Sequence, residues 1–328
     1  MDALVQGLVH RLRLGDPVSD AGLTVIPLFG EPAGAPGFIT LEEALASDVL
    51  TVAEVSESGS VPHLNVHNHG PAGVLVLDGE ELAGAKQNRV LNTTVYIRPG
   101  QEIVIPVSCT EAGRWRYDSP GFADSGYVAA PAIRFAAAES VTQSVRQGDG
   151  FLSDQGRVWD EVSQLQERHA VASPTCAARD VYEHAAADMR RRGSGFPCLP
   201  GQIGILVLWS GRVAGLDVVA NDTVFARLHG RLVRSYALDA PPGGSAPAAS
   251  DLRVAADWLA ALAQVQTTEH ESPGSGVSYR FTGRRVVGAA LSVDGAVLHL
   301  SAFATPAGPG SDESRYPGFY ESRAQFPW

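Results

Sequence analysis

Lysine is nearly missing from this chain. Of 25 Lys and Arg residues only Lys86 is lysine, a ratio that points to a codon bias replacing lysine by arginine wherever the two are interchangeable. At bidentate, stacked or nucleophilic positions they are not interchangeable. Cysteine is also scarce: Cys109, Cys176 and Cys198, odd in number, argue against a disulfide framework and for reduced thiols. Long apolar runs are missing too. No stretch reaches the ~18 apolar residues of a spanning helix, and Met1 to Gly15 offers only short apolar pieces broken by His10, Arg11 and Arg13, without a signal-peptide core. A cytoplasmic protein that does not enter membranes is expected. Positive charge is in deficit, 25 basic against 36 acidic residues leaving −11, a field that repels nucleic-acid backbones and anionic lipid surfaces. Walker loops, GxSxG elbows, CxxC pairs and HExxH helices are absent, which sets aside the motif-defined hydrolases and kinases.

What is present suffices for a buried core: 328 residues, 45% apolar and 19% charged. The pattern predicts an α+β protein with an amino-terminal helix in 1–21 and an antiparallel, sandwich-like β-rich part over 22–133. A helical and mixed α/β part over 134–304 packs on it as one composite domain, and a tail occupies 305–328. Short apolar runs punctuated by Gly, Pro and Asn give strands at Leu23–Leu28, Leu50–Val55, His63–His69, Gly73–Leu77, Thr93–Ile97 and Ile103–Ser108. Hairpins are expected at Gly70–Gly73, Pro99-Gly100, Ser210-Gly211 and Asp294-Gly295. Thr40 and Glu43 form a capping-box pattern, Ser153 or Asp154 suits a helix start, and Ser173-Pro174 opens a helix ending in Arg190–Arg192. Further helices are read at Thr223–Ser235 and Asp251–Val265. The Pro- and Gly-rich stretch Asp239–Ala248 reads as a loop. The aromatics of 305–328 suit docking on the body or on a second copy of the chain, which would make a homo-oligomer.

The densest polar stretch, Asp78 to Asn92, carries Glu80, Glu81, Lys86, Gln87, Asn88, Arg89 and Asn92, interrupted by Gly79 and Gly84, where the backbone can turn sharply or approach a ligand. The solitary lysine would fall in it by chance only about one time in twenty if Lys and Arg exchanged freely elsewhere. The plain alternative is a solvated hairpin of paired charges. A second cluster, Glu111, Arg114 and Trp115, follows a strand end, where an arginine can clamp phosphate and an indole can stack. Cys109 precedes it with no histidine nearby in sequence to activate it. His63, Asn65, His67 and His69 share a strand face, but ~7 Å steps are too long for one metal ion, and a water-facing strand explains them better.

Four stretches, LDGEELAGAKQNRVLNTTV, IPVSCTEAGRW, DQGRVWDEV (Asp154–Val162) and SYALDA (Ser235–Ala240), resemble the first type of ARG-and-rhodanese-phosphatase-associated protein domain. This is a bacterial family of otherwise unknown function, and the likeness runs from about Gly22 to Phe303. It implies a role in NAD and ADP-ribose metabolism, by association with ADP-ribosylglycohydrolases. On that pattern Glu80, Glu81, Lys86 and Glu111 are the candidates for chemistry. Gln87, Asn88, Arg89, Asn92, Arg114, Trp115, Gln155 and Trp159 are the candidates for ligand binding, with Asp160 also of interest. No cofactor is specified and no metal is expected.

Two readings follow. In one, an enzyme acts on a small anionic ligand, a phosphorylated nucleotide-sugar: Lys86, Arg89 and Arg114 neutralise phosphate, Trp115 stacks, and Glu80 or Glu111 moves a proton. In the other, a non-catalytic module uses the 78–92 hairpin as an interface. Both polar clusters should converge on one concavity, with Gln155 or Trp159 covering it.

Overall fold

A computed structural model describes residues 1–31, 34, 36–56, 59–119, 121–240 and 250–305. The stretch 241–248 and the tail beyond 305, with its aromatics, lie outside the described residues. The chain opens with helix α1 (Ala3–Arg11), capped by Asp2, then strands β1 (Arg13–Leu14), β2 (Val18–Asp20) and β3 (Leu23–Phe29). Next come β4 (Phe38–Thr40), α2 (Leu41–Ala46), β5 (Leu50–Glu54), β6 (His63–Asn68), β7 (Gly73–Val76), β8 (Glu80–Gly84), β9 (Arg89–Leu91), β10 (Val95–Ile97), β11 (Glu102–Cys109) and β12 (Phe122–Val128). Helices α3 (Pro131–Gln147), α4 (Gln155–Arg168) and α5 (Ala178–Gly193) follow. The remainder is β13 (Gln202–Trp209), β14 (Arg212–Val219), α6 (Asp222–Asp239), α7 (Asp251–Leu262), β15 (Thr267–Glu271), β16 (Val277–Thr282), β17 (Val286–Val293) and β18 (Ala296–Ala304).

A six-stranded sheet, β12-β8-β9-β11-β6-β5, faces a three-stranded one, β10-β7-β4. Val52, Leu64, Val66, Leu82, Leu91 and Val107 of the first sheet pack on Val74, Val76, Val95 and Ile97 of the second, so the β-rich part is a sandwich. The remaining strands form a nine-stranded antiparallel sheet, β1-β3-β13-β14-β18-β17-β16-β15, with β2 on β3. Helices α1 and α7 cover one of its faces through Val5, Leu8, Ala255 and Leu259. Helix α6 covers the other through Phe225, Leu232 and Tyr236, together with Leu75, Leu77 and Tyr96 of the sandwich. Helices α3 to α5 gather Ile133, Val158, Val162 and Tyr182 around Val90. The protein is therefore α+β with a β-rich sandwich in its amino-terminal part. Among the described residues no helix is long and apolar enough to cross a membrane.

Several local expectations are corrected. Strand β3 belongs to the nine-stranded sheet, paired with β13, because its six consecutive buried residues need cover on both faces. Gly70–Gly73 and Pro99-Gly100 are crossings between sheets and not hairpins, since β6 pairs with β5 and β11 whereas β7 and β10 pair with each other. The polar stretch 78–92 is a hairpin, as expected, but its arms β8 and β9 are inner strands of the six-stranded sheet and are buried instead of solvated. Helix α5 begins at Ala178, beyond Ser173-Pro174. The Thr40/Glu43 capping box, the Asp154 cap and the turns at Ser210-Gly211 and Asp294-Gly295 are formed as expected.

Sandwich and large sheet meet over a buried ionic junction. Arg134 of α3 donates to Asp78 at 3.1 Å and, with both terminal nitrogens, to Asp217 at 2.6 and 3.1 Å. Tyr236 donates to Asp217 at 2.8 Å, Ser301 to Asp78 at 3.1 Å, and His299 Nδ1 lies 2.7 Å from Thr94 Oγ1. Burial pushes the Asp217 and Asp78 carboxyls up, but Arg134 and then His299 overcome it and hold both below the ordinary range. His299 is thus a core histidine bonded through Nδ1, its buried Nε2 lying 3.5 Å from Asp217 Oδ1 without a hydrogen bond.

Candidate functional site

At one end of the sandwich, here called the mouth, β5 and β11 end and β6 and β9 begin. Strand alternation sends Val52, Leu91 and Val107 into the sandwich core. The same alternation makes Glu54, Arg89 and Cys109 the inward positions at this end, with Arg89 opposite Cys109 in register.

Two loops frame the mouth. Glu111 is the knot between them: its carboxylate accepts from Arg114 Nε at 2.9 Å, Arg114 Nη2 at 2.7 Å, Thr175 Oγ1 at 2.9 Å and the Asn88 N–H at 3.2 Å. Burial raises its pKa, but Arg114 and the other donors outweigh that and leave it below the ordinary value. Arg114 also donates to Ala85 O at 2.8 Å and Asn88 Oδ1 at 3.3 Å. Gln87 donates to Glu111 O at 2.9 Å and accepts from Arg89 Nη1 at 3.0 Å. The two polar clusters therefore converge. Glu111, Arg114, Gln87 and Asn88 hold the frame, whereas Lys86 and Arg89 gather beneath the Trp115 ring.

Lys86 Nζ sits 5.4 Å from the Trp115 ring centre and 5.1 Å from that of Tyr117, within cation–π range of both. Arg89 lies 5.8 Å from the same indole. Trp115 is 48% exposed and Tyr117 52%, while Arg89 is wholly buried, so aromatic rims stand over sunken cations. Arg89 Nε and Nη2 have no hydrogen-bond partner, and neither do the two buried carboxylate oxygens of Glu54. Elsewhere among the described residues unpartnered buried side-chain atoms occur singly; at the mouth four fall on two residues.

Gln155 and Trp159 reach the same end. The Asp154 cap fixes the first turn of α4, and the Gln155 amide there accepts the Cys109 N–H and donates to Cys109 O, both at 2.8 Å. Trp159, one turn on and 37% exposed, lies by the Cys109 thiol. Burial pushes that thiol up against smaller pulls from Glu111, Arg89 and Trp159, so it is not an activated nucleophile. Asp160 is exposed on α4.

The other candidates lie apart. Glu80 accepts from Leu77 N–H at 2.7 Å and Arg231 at 3.2 Å, in a cluster that includes Asp124 and Glu42. Glu81 points to the opposite face, accepting from Thr110 at 3.1 Å with its Oε2 unpartnered. Burial lifts both carboxyls to about 7. Asn92 donates to Phe151 O and accepts from Ser108, so it braces the sheet. Gly79 and Gly84, both at positive φ, make room for Arg134 and for Gly121 O rather than for a ligand. Residues 80, 81 and 89 are covered by the protein itself. His63, Asn65 and His67 alternate along a half-exposed strand face, and no group of three or more metal-ligating side chains occurs among the described residues.

Glu54 and Tyr117 were not foreseen. An acid at the inward end of a strand whose other inward residues are apolar was the available signal for Glu54. Tyr117 had none beyond its proximity to Trp115.

A family model described as ARG and Rhodanese-Phosphatase-superfamily-associated Protein domain matches residues 11–303. No curated protein and no solved structure matches the chain.

Proposed function

The chain belongs to the ARG and Rhodanese-Phosphatase-superfamily-associated Protein domain family, and on that premise we propose that its sandwich mouth binds a small anionic ligand, a phosphorylated nucleotide-sugar of the NAD and ADP-ribose kind, in a cytoplasmic setting. The observation that carries this reading is Arg89. A wholly buried guanidinium with Nε and Nη2 unpartnered has two donors lying side by side, the fork that phosphate and carboxylate match. Lys86 adds a compact second charge, and Trp115, Tyr117 and Trp159 supply flat apolar surface for a base or sugar. Sandwich and barrel mouths are common ligand sites for the same reason: strands fix the donors while loops shape the rim.

Proton transfer in this reading falls to neither Glu80 nor Glu111, whose oxygens are engaged by Arg231 and by Arg114. Arg114 supports the rim through Glu111 instead of meeting phosphate.

Titration of ADP-ribose, its phosphorylated forms, NAD and neutral sugars, read by thermal shift, tests the proposal. Phosphorylated ligands should stabilise the wild type and neutral sugars should not. Lys86→Ala and Lys86→Arg should each weaken binding about ten- to hundredfold, the worth of a charge-assisted contact at ~1.5–3 kcal/mol. Wild-type affinity in Lys86→Arg would remove the lysine from the site.

A further inference from the structure

We infer that Glu54 receives a pair of hydroxyl groups carried by the ligand beside its anionic group, so that the mouth takes a sugar phosphate with a free vicinal diol. This rests on the reading of the mouth as an anion site and narrows it.

The geometry behind the inference begins with the two Glu54 oxygens, both shielded from solvent and accepting from no donor. Arg89 feels the Glu54 charge, yet the two groups do not hydrogen-bond to each other. A carboxylate and a guanidinium that are inward at the same end of the sandwich, both buried and not bonded to each other, suit a ligand with an acceptor group at one end and donors at the other. Gly59 closes over this pair: at φ 77° its backbone comes so near that a Cβ would lie 3.3 Å from Glu54 Oε2, 3.2 Å from Lys86 Cδ and 3.4 Å from Lys86 Nζ. Glu54 and Lys86 thus both pack against the Gly59 backbone, where a side chain would be crowded and its backbone strained.

The donors opposite Glu54 are hydroxyls and not an ammonium. Lys86 and Arg89 outnumber Glu54 at the mouth, so the local field disfavours a further cation, whereas a neutral diol carries two O–H donors at the spacing of two carboxylate oxygens. Glu54 also repels an anion, and the one or two P–OH donors of inorganic phosphate near neutral pH sit on the same anionic centre that Arg89 would hold. It therefore disfavours bare phosphate relative to a phosphate joined to a polyol, whose hydroxyls stand apart from the charge, which is specificity by an element of repulsion.

Calorimetric titration of full-length protein with ribose 5-phosphate, 2-deoxyribose 5-phosphate, phosphoethanolamine and inorganic phosphate tests the assignment, on wild type, Glu54→Gln, Glu54→Asp and Arg89→Gln. Wild type should prefer ribose 5-phosphate to the 2-deoxy sugar and to inorganic phosphate by about tenfold or more. Glu54→Gln should lose about tenfold for ribose 5-phosphate while inorganic phosphate binds as well or better, a split that a merely structural role would not give. Glu54→Asp should lose the diol preference yet still disfavour inorganic phosphate. Equal weakening toward every probe in Glu54→Gln, unchanged ranking, or preference for phosphoethanolamine would overturn the diol assignment alone. A wild type that binds none of the phosphates, or an Arg89→Gln variant that binds all of them unchanged, would overturn the anion-site reading and this inference with it.

Discussion

Arg134 and Arg89 are equally hidden from water, but their surroundings are opposite. At the junction Arg134 meets two carboxylates in a set where Tyr236, Ser301, Thr94 and His299 fill further valences, and Asp217 with Asp78 carries its pKa upward against the burial that would lower it. At the mouth burial wins and the Arg89 pKa is lowered, with Cys109 and Glu54 too weakly coupled to restore it. Both regions use an arginine and acids. Apart from His299 Nε2, the junction closes its valences within the protein and so serves the fold, whereas the mouth leaves two donors of Arg89 and two acceptors of Glu54 unmatched, which in the function proposed above are the ligand's to fill.

The contrast can be broken most severely at the junction. Arg134→Met leaves Asp78 and Asp217 buried without their cation and should cost about 3–5 kcal/mol in urea unfolding. A change below about 1 kcal/mol would show that the junction is not the closed unit described. Adding Asp217→Asn to that variant should recover part of the loss.

A second expectation concerns pH. The Asp78 and Asp217 carboxyls are held low in the folded state, so their contribution is present near neutrality and is lost as pH falls through the acid range below their ordinary values. Glu81, lifted to about 7, acts with the opposite sign: the unfolded chain releases its proton first, so stability declines as pH rises from about 4.5 to about 7. Glu81→Gln should therefore gain on the wild type by on the order of 1 kcal/mol per pH unit across that window. Parallel stability profiles for the two proteins would refute the raised value.

The smallest effect on folding is expected at the mouth. Arg89→Met should leave stability within about 1 kcal/mol of wild type, or raise it, while abolishing phosphate binding, because an unpartnered buried charge costs the fold and serves the ligand. A loss comparable with that of Arg134→Met would place Arg89 among the structural arginines.

The sequence made the mouth easier to find than the sheets that build it. Lys86 stood out because one lysine among 24 arginines is a signal needing no structure, and Trp115 followed a recognisable strand end. Strands β8 and β9 were hidden because Glu80, Glu81 and Arg89 break the apolar alternation by which strands are read. These polar residues are buried through partners far away in the chain, such as Arg231 for Glu80. The pairing of Glu111 with Arg114 was hidden for a similar reason: two charges three residues apart in sequence do not reveal that each meets the other. The turns at Gly70–Gly73 and Pro99-Gly100 misled because a tight turn can join two sheets as readily as two partners in one sheet.

Strand β3 also has a bearing on how the chain is made. Leu23 pairs with Trp209 and Phe29 with Gln202, so the whole sandwich and helices α3 to α5 are synthesised between the two halves of that ladder. At ~5–20 residues per second, β3 waits roughly 10–40 s for its neighbour β13, supported by the short hairpin with β2. LTVIPLF is uncharged and, but for Thr24, apolar, with Pro27 interrupting a run that would otherwise pair readily with another nascent copy. Yield during synthesis therefore hinges on how long this one segment stays exposed, and slower elongation across the sandwich should lower the soluble fraction without altering the stability of the finished protein.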